Sequence, residues 1–214
     1  METFKKQIEE IIDETFTALR DVFKYQRQDI PLIFPHKRDD TIRISEQELR
    51  FLFVRFLEQK IVDGLQYNHE PICYSVETPT RNKFSFTGKN ELSGNIDLTI
   101  HRRSDNKRIC IIEFKYDNVN FESDYDKLYT ELHSQDNYYV DDAFGYFIQL
   151  LTNSCKGEKR NTKESVRDKI TEYNNKYESN KFKHICYSLE GNKKDGCYLD
   201  LDANKSNNYD PNHP

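Results

Sequence analysis

At 214 residues the chain is long enough to close a core as one domain, and its 32% charged, 36% hydrophobic and 13% aromatic residues exclude a disordered polypeptide. The net charge of −5 lacks the basic footprint common among nucleic-acid-binding domains, no apolar run approaches the ~20 residues of a membrane span, and the first residues carry no signal-peptide pattern. Five cysteines without a CxxC pair exclude a disulfide framework and a cysteine-rich zinc site, so reduced thiols and a cytoplasmic location are expected.

Phe4, Ile8, Ile11, Ile12, Leu19, Val22 and Phe23 recur at helical spacing and predict an amphipathic helix over residues 2–25. Pro31 and Pro35 break regularity, so residues 26–44 read as an extended connector, packed through Leu32, Ile33 and Phe34. These elements form an N-terminal segment, 1–44, ahead of a domain over 45–202. Ser45 with Glu48 three residues on is a capping box that opens a second, strongly apolar helix. From Pro71 the pattern turns to strands over 72–76 and 83–86, then to a strand–turn–strand unit over 94–116. A short helix over 124–133, an apolar strand over 143–151, a polar helix over 162–178 and strands over 182–189 and 197–201 follow. The Asn-rich stretch 203–214 has no periodicity and is expected to be disordered. Early hairpins imply antiparallel pairing and later strand–helix alternation implies parallel pairing, so the fold class is α/β with a mixed sheet flanked by helices.

The strand–turn–strand unit carries the chemistry. Ile96, Leu98 and Ile100 alternate with polar residues, the turn is Ser104-Asp105-Asn106, and Ile109–Ile112 run into Glu113, Phe114 and Lys115. Asp97 lies inside the first strand, while Glu113 and Lys115 share one face of the second. Carboxylates beside an apolar block need compensation, and a divalent cation supplies it. Mg²⁺ suits such a site, because it takes one or two carboxylates and keeps several waters and substrate oxygens. A neighbouring lysine can then orient water and offset developing negative charge.

An acidic helix start, a β-meander with Ile96-Asp97, the run Ile111-Ile112-Glu113-Phe114-Lys115, a helix and a buried strand together resemble the PD-(D/E)xK, or restriction-endonuclease-like, nuclease superfamily. The resemblance covers residues 45–152, with 160–190 as an extension. It implies a restriction-endonuclease-like fold with an N-terminal helical extension and Mg²⁺- or Mn²⁺-dependent hydrolysis of phosphodiester bonds. Asp97 and Glu113 would be metal ligands, Lys115 the catalytic lysine, the Phe114 carbonyl a further ligand, and Glu48, ahead of Glu46, the helix carboxylate. The family's Pro-Asp dipeptide is Ile96-Asp97 here. DNA ranks ahead of RNA as substrate, by resemblance alone, and restriction or anti-phage defence is the biological setting it suggests. Part of the nucleic-acid affinity is expected from a homo-oligomer or a partner protein, given the acidic chain. The competing class is a catalytically inactive module that keeps the fold as an interaction subunit.

Other residues carry weaker signals. Glu48 serves either the cap or the cation. Glu77 is a further acid or a turn residue, and Gln149 and Tyr146 either touch substrate or satisfy the core. His101, His133 and His184 show no ligand spacing. Arg102, Arg103, Lys107 and Arg108 at the turn either contact phosphates or serve solubility. Residues 117–142 hold eight acids against the single Lys127, whereas 156–194 hold eleven Lys or Arg against six acids, so a local basic surface is compatible with the global sign.

Overall fold

Alternation in the middle of the sequence resolves into a sheet whose strands lie side by side in chain order. The computed structural model describes residues 2–25, 29–40, 42–83, 93–116, 122–134, 137–151, 171–173, 175–177, 181–189 and 198–201. Its helices are α1 (Glu2–Tyr25), α2 (Glu46–Val62) and α3 (Glu122–Leu132). The strands are β1 (Gln66–Tyr67), β2 (Glu70–Pro79), β3 (Asn95–Arg102), β4 (Arg108–Tyr116), β5 (Tyr139–Leu151), β6 (Phe182–Ser188) and β7 (Tyr198–Leu201). Strands β1 to β4 pair antiparallel, β4–β5 and β5–β6 pair parallel, and β6–β7 pair antiparallel. The architecture is thus mixed α/β.

Helices cover both faces. On one, Phe53 of α2 meets Phe114 edge-on at 5.5 Å, Phe4 of α1 meets Phe144, and Phe16 stacks on Tyr187 at 4.7 Å. On the other, Tyr125 of α3 packs on Phe147 and His184, and the helical residues Tyr173 and Tyr177 close over Tyr125. Burial on both sides explains why β4 and β5 are nearly continuous apolar runs. Gly145 permits this closeness: a Cβ there would stand 3.0 Å from Leu132 and 3.1 Å from the Ile111 carbonyl, so α3 could not seat so low on β5.

α1 joins the core and does not stand off as an arm, with Ile8, Ile11, Ile12 and Leu19 fully buried. The connector differs from expectation at one residue. Ile33 is 79% exposed, and the connector packs instead through Ile30, Phe34 and Ile44. In an extended segment neighbouring side chains point to opposite sides, so Ile33 and Phe34 cannot both face inward. Strand β5 starts four residues before the apolar run, because Tyr139 and Val140 are buried and Asp142 accepts a hydrogen bond from the Tyr67 hydroxyl. Lys83 lies in a loop, the remainder of the strand expected over 83–86 falls outside the described residues, and so does 203–214. Of the helix expected over 162–178, the described residues 171–173 and 175–177 are helical. Among the described residues no helix is long and apolar enough to cross a membrane.

At the basic turn, Arg108 departs from both readings of the sequence. Arg108 is 3% exposed, donating to Glu131, to the Tyr139 hydroxyl oxygen and to the Pro79 carbonyl. Arg102 is taken up by Asp105 and Glu70. Arg108 is therefore a core brace between β4 and α3, and no phosphate can reach it without unfolding that corner. A guanidinium enters the core here because Glu131, itself 1% exposed, supplies the opposite charge.

Candidate functional site

The register of β3 on β4 places Asp97 opposite Glu113. Pairing runs from His101↔Arg108 to Leu98↔Ile112 and stops there. Beyond that point the Asp97 carboxylate replaces the ladder, its Oδ2 accepting the Phe114 amide at 2.8 Å. The two strands thus open at their end around a carboxylate, on the face that α3 covers. Phe114 enters through its amide, and its ring goes to the opposite face against Phe53.

α3 contributes the groups that complete the cluster. Its Lys127 Nζ lies 2.8 Å from Glu113 Oε1 and donates to the Asn95 carbonyl at 2.8 Å, with Asp124 Oδ1 at 3.7 Å. Lys115 donates to the other Asp124 oxygen at 2.8 Å. Asp124 and Lys127 are three residues apart, so they share one side of the helix. One carboxylate, Asp124, therefore stands between two ammonium groups.

α2 approaches from the other side with Glu46 and Arg50. Arg50 pairs with Glu77 and reaches 4.0 Å from Asp97 Oδ1. Glu77 adopts φ 49°, a left-handed conformation unusual for a side chain inside a strand. Of the two helix carboxylates, Glu48 closes the cap: its Oε2 accepts the Ser45 amide at 2.8 Å and the Ser45 hydroxyl. Glu46 is the one in electrostatic range of Asp97, Lys115 and Asp124. Glu48 thus belongs to the cap, and Glu46 faces the charged cluster.

The electrostatics follow from burial. Glu113 is 3% exposed, and loss of water pushes its carboxyl well above the ordinary range, with Lys127 opposing and Asp97 adding to the rise. Burial also raises Asp97, against the pull of the Phe114 amide and Lys127. It raises Glu46, with Asp97 as the next cause. For Lys115 and Lys127 burial alone would lower the pKa, yet the carboxylates outweigh it and both are raised: Asp124 chiefly for Lys115, Glu113 chiefly for Lys127. Both lysines are held as ammonium.

This donor set fits a hard divalent cation. Glu113 Oε1 is buried and faces the Lys127 ammonium at 2.8 Å, a cation that also donates to the Asn95 carbonyl. Carboxylate and carbonyl oxygens are the ligands that Mg²⁺ and Mn²⁺ prefer. Among the described residues no group of three His, Cys, Asp or Glu already stands at chelating distance. A lysine occupies the middle of the carboxylates.

The remaining sequence candidates have structural partners. His184 is buried between the Tyr125 hydroxyl (2.9 Å) and Gln149 Oε1 (3.0 Å), and desolvation lowers its pKa to about 3. Gln149 is thereby a core partner of a neutral imidazole. Tyr146 reaches Glu9 of α1, and His101 lies between Ser75 and the Asn106 carbonyl. His133 contacts the Tyr129 carbonyl one turn back.

Sequence reasoning missed Asp124, Lys127 and Arg50. A signal existed for Lys127, the one cation in a run of acids and one residue from the buried Leu128. Comparison with family models, curated proteins and solved structures gave no match to this chain.

Proposed function

We propose that the chain is a metal-dependent nuclease of the PD-(D/E)xK, restriction-endonuclease-like class that hydrolyses phosphodiester bonds, with DNA ahead of RNA as substrate. The observation that carries this reading is the opening of β3 from β4 around Asp97, with buried Glu113 opposite and Lys115 two residues further on the same face. The order of α2, the β2–β4 meander, α3 and parallel β5 agrees with the same class.

In this mechanism Asp97 and Glu113 would hold Mg²⁺ or Mn²⁺, with the Phe114 carbonyl as a further ligand and Glu46 as the helix carboxylate, Glu48 being taken by the cap. When bound, the cation would supply Lewis acidity at the scissile phosphate and lower the pKa of an attacking water. Lys115, kept protonated by Asp124, acts as a positive charge that orients the attacking water and stabilises the charge gained by the phosphate oxygens. It is not the base, since a raised lysine holds its proton at neutral pH. The acidic chain leaves part of the affinity for a polyanion to a second copy or a partner protein. A cytoplasmic role in restriction or anti-phage defence accords with this chemistry.

The test is cleavage of plasmid, linear duplex, single-stranded DNA and RNA with Mg²⁺ or Mn²⁺ by wild type, Asp97→Ala and Lys115→Ala. Metal-dependent cutting is expected, and each substitution should reduce it at least about a hundredfold. Absence of cutting together with absence of calorimetric Mn²⁺ binding would overturn the reading and leave a catalytically inactive interaction subunit.

A further inference from the structure

We propose that Lys127 is a resident counter-cation, standing where a divalent ion would stand at Glu113, so that metal binding proceeds by displacing it. This rests on the reading of the site as a divalent-cation centre. The ammonium is surrounded by the Glu113 carboxylate and the Asn95 carbonyl, both at 2.8 Å, and by Asp124 at 3.7 Å. Each is a hard oxygen donor, the kind of set a hard cation takes. An ammonium and a divalent ion cannot both sit against Glu113 Oε1, because like charges at that range in a buried site repel strongly.

Displacement requires somewhere for Lys127 to go, and the structure provides it. The lysine projects from α3, not from the sheet, so rotation of its four-carbon stem moves the charge without disturbing β3 or β4. Asp124, on the same side of the helix, is the nearest carboxylate to receive it. Asp124 is also the acceptor for Lys115. Lys115 holds Oδ2 while Lys127 faces Oδ1, so Asp124 can receive Lys127 on its second oxygen and keep Lys115 in place. Meanwhile Lys127 keeps Glu113 compensated inside the metal-free fold, where an unpaired carboxylate would be destabilising.

Two measurements on the full chain test this. In the first, Mn²⁺ is titrated calorimetrically into wild type, Lys127→Gln, Glu113→Gln and the double variant. Lys127→Gln should bind about tenfold more tightly than wild type or better, since the competing charge is gone. Glu113→Gln should abolish binding in both backgrounds. In the second, which needs no variant to fold, acetylation of Lys127 in the wild type is followed by mass spectrometry with and without saturating Mn²⁺. Its labelling should rise several-fold with metal, as the amine leaves its buried position. Unchanged affinity in Lys127→Gln, or unchanged labelling at saturating Mn²⁺, overturns the displacement while leaving the metal centre intact. No Mn²⁺ binding by any form overturns the centre itself, and the displacement with it.

Discussion

Replacing Glu131 by alanine should destabilise the protein more than any exposed substitution, and the structure sets the size of the loss. Glu131 accepts from the Arg108 guanidinium at 2.8 Å, from the Tyr139 hydroxyl, and from the Arg81 and Asn82 amides at 2.8 and 2.7 Å. Arg108 and Glu131 are 3% and 1% exposed. Removing one partner of a buried pair costs about 3–5 kcal/mol, because the other charge stays buried without compensation. Each orphaned amide adds roughly 1–3 kcal/mol unless water enters the cavity. The expected total is at least about 4 kcal/mol, a large share of the roughly 5–15 kcal/mol that holds a domain together. With a urea m-value near 2 kcal/mol/M, the unfolding midpoint should fall by about 2 M. The paired replacement Arg108→Met with Glu131→Leu should recover the share that comes from the unpaired charge, while the Arg81 and Asn82 amides stay without their acceptor. A loss below about 1 kcal/mol for Glu131→Ala would refute the reasoning, for it would mean that the pair is hydrated or absent in solution. The consequence reaches the site, because this brace holds α3, and with it Asp124 and Lys127, against β4.

Acid should unfold the protein partly through His184. Its folded pKa of about 3 lies below the unfolded value near 6.5, so between them the unfolded state binds a proton that the folded state refuses. The contribution is complete above the unfolded value and is lost as pH falls, at about 1.4 kcal/mol per pH unit. The raised carboxyls of Glu113 and Asp97 act in the opposite direction, so the comparison is between wild type and His184→Gln by urea unfolding from pH 7 to 5. The variant should show the flatter acid limb, and equal slopes would refute a neutral, buried imidazole. The two helix carboxylates should separate cleanly. Glu48→Ala should cost about 0.5–2 kcal/mol of stability by loss of the cap while Mn²⁺ affinity stays within a few-fold. Glu46→Gln should weaken Mn²⁺ binding about tenfold without lowering the melting temperature, since it removes a carboxylate that burial disfavours. The reverse pattern would return the metal role to Glu48.

The element order was legible from the sequence because periodicity is a local property. Alternation in Ile96, Leu98 and Ile100, the turn at Ser104-Asp105-Asn106 and the 3.6-residue recurrence in α1 are each set by nearest neighbours in the chain. Asp97, Glu113 and Lys115 could be singled out for the same reason: polar groups in apolar strands declare themselves without a tertiary model. What the sequence could not decide is which charges face one another. Arg108 looked like a solvated turn residue, and only the packing of α3 against β4 shows the buried Glu131 that admits it to the core. Glu46 and Glu48 are equally acidic, and the geometry of the cap alone hands one to Ser45 and leaves the other to the site. Lys127 lies fourteen residues from Glu113 along the chain, yet the packing of α3 on the sheet brings its ammonium onto that carboxylate. Helical and strand periods depend on local sterics, whereas the pairing of distant charges depends on how whole elements pack, and that is a property of the tertiary structure alone.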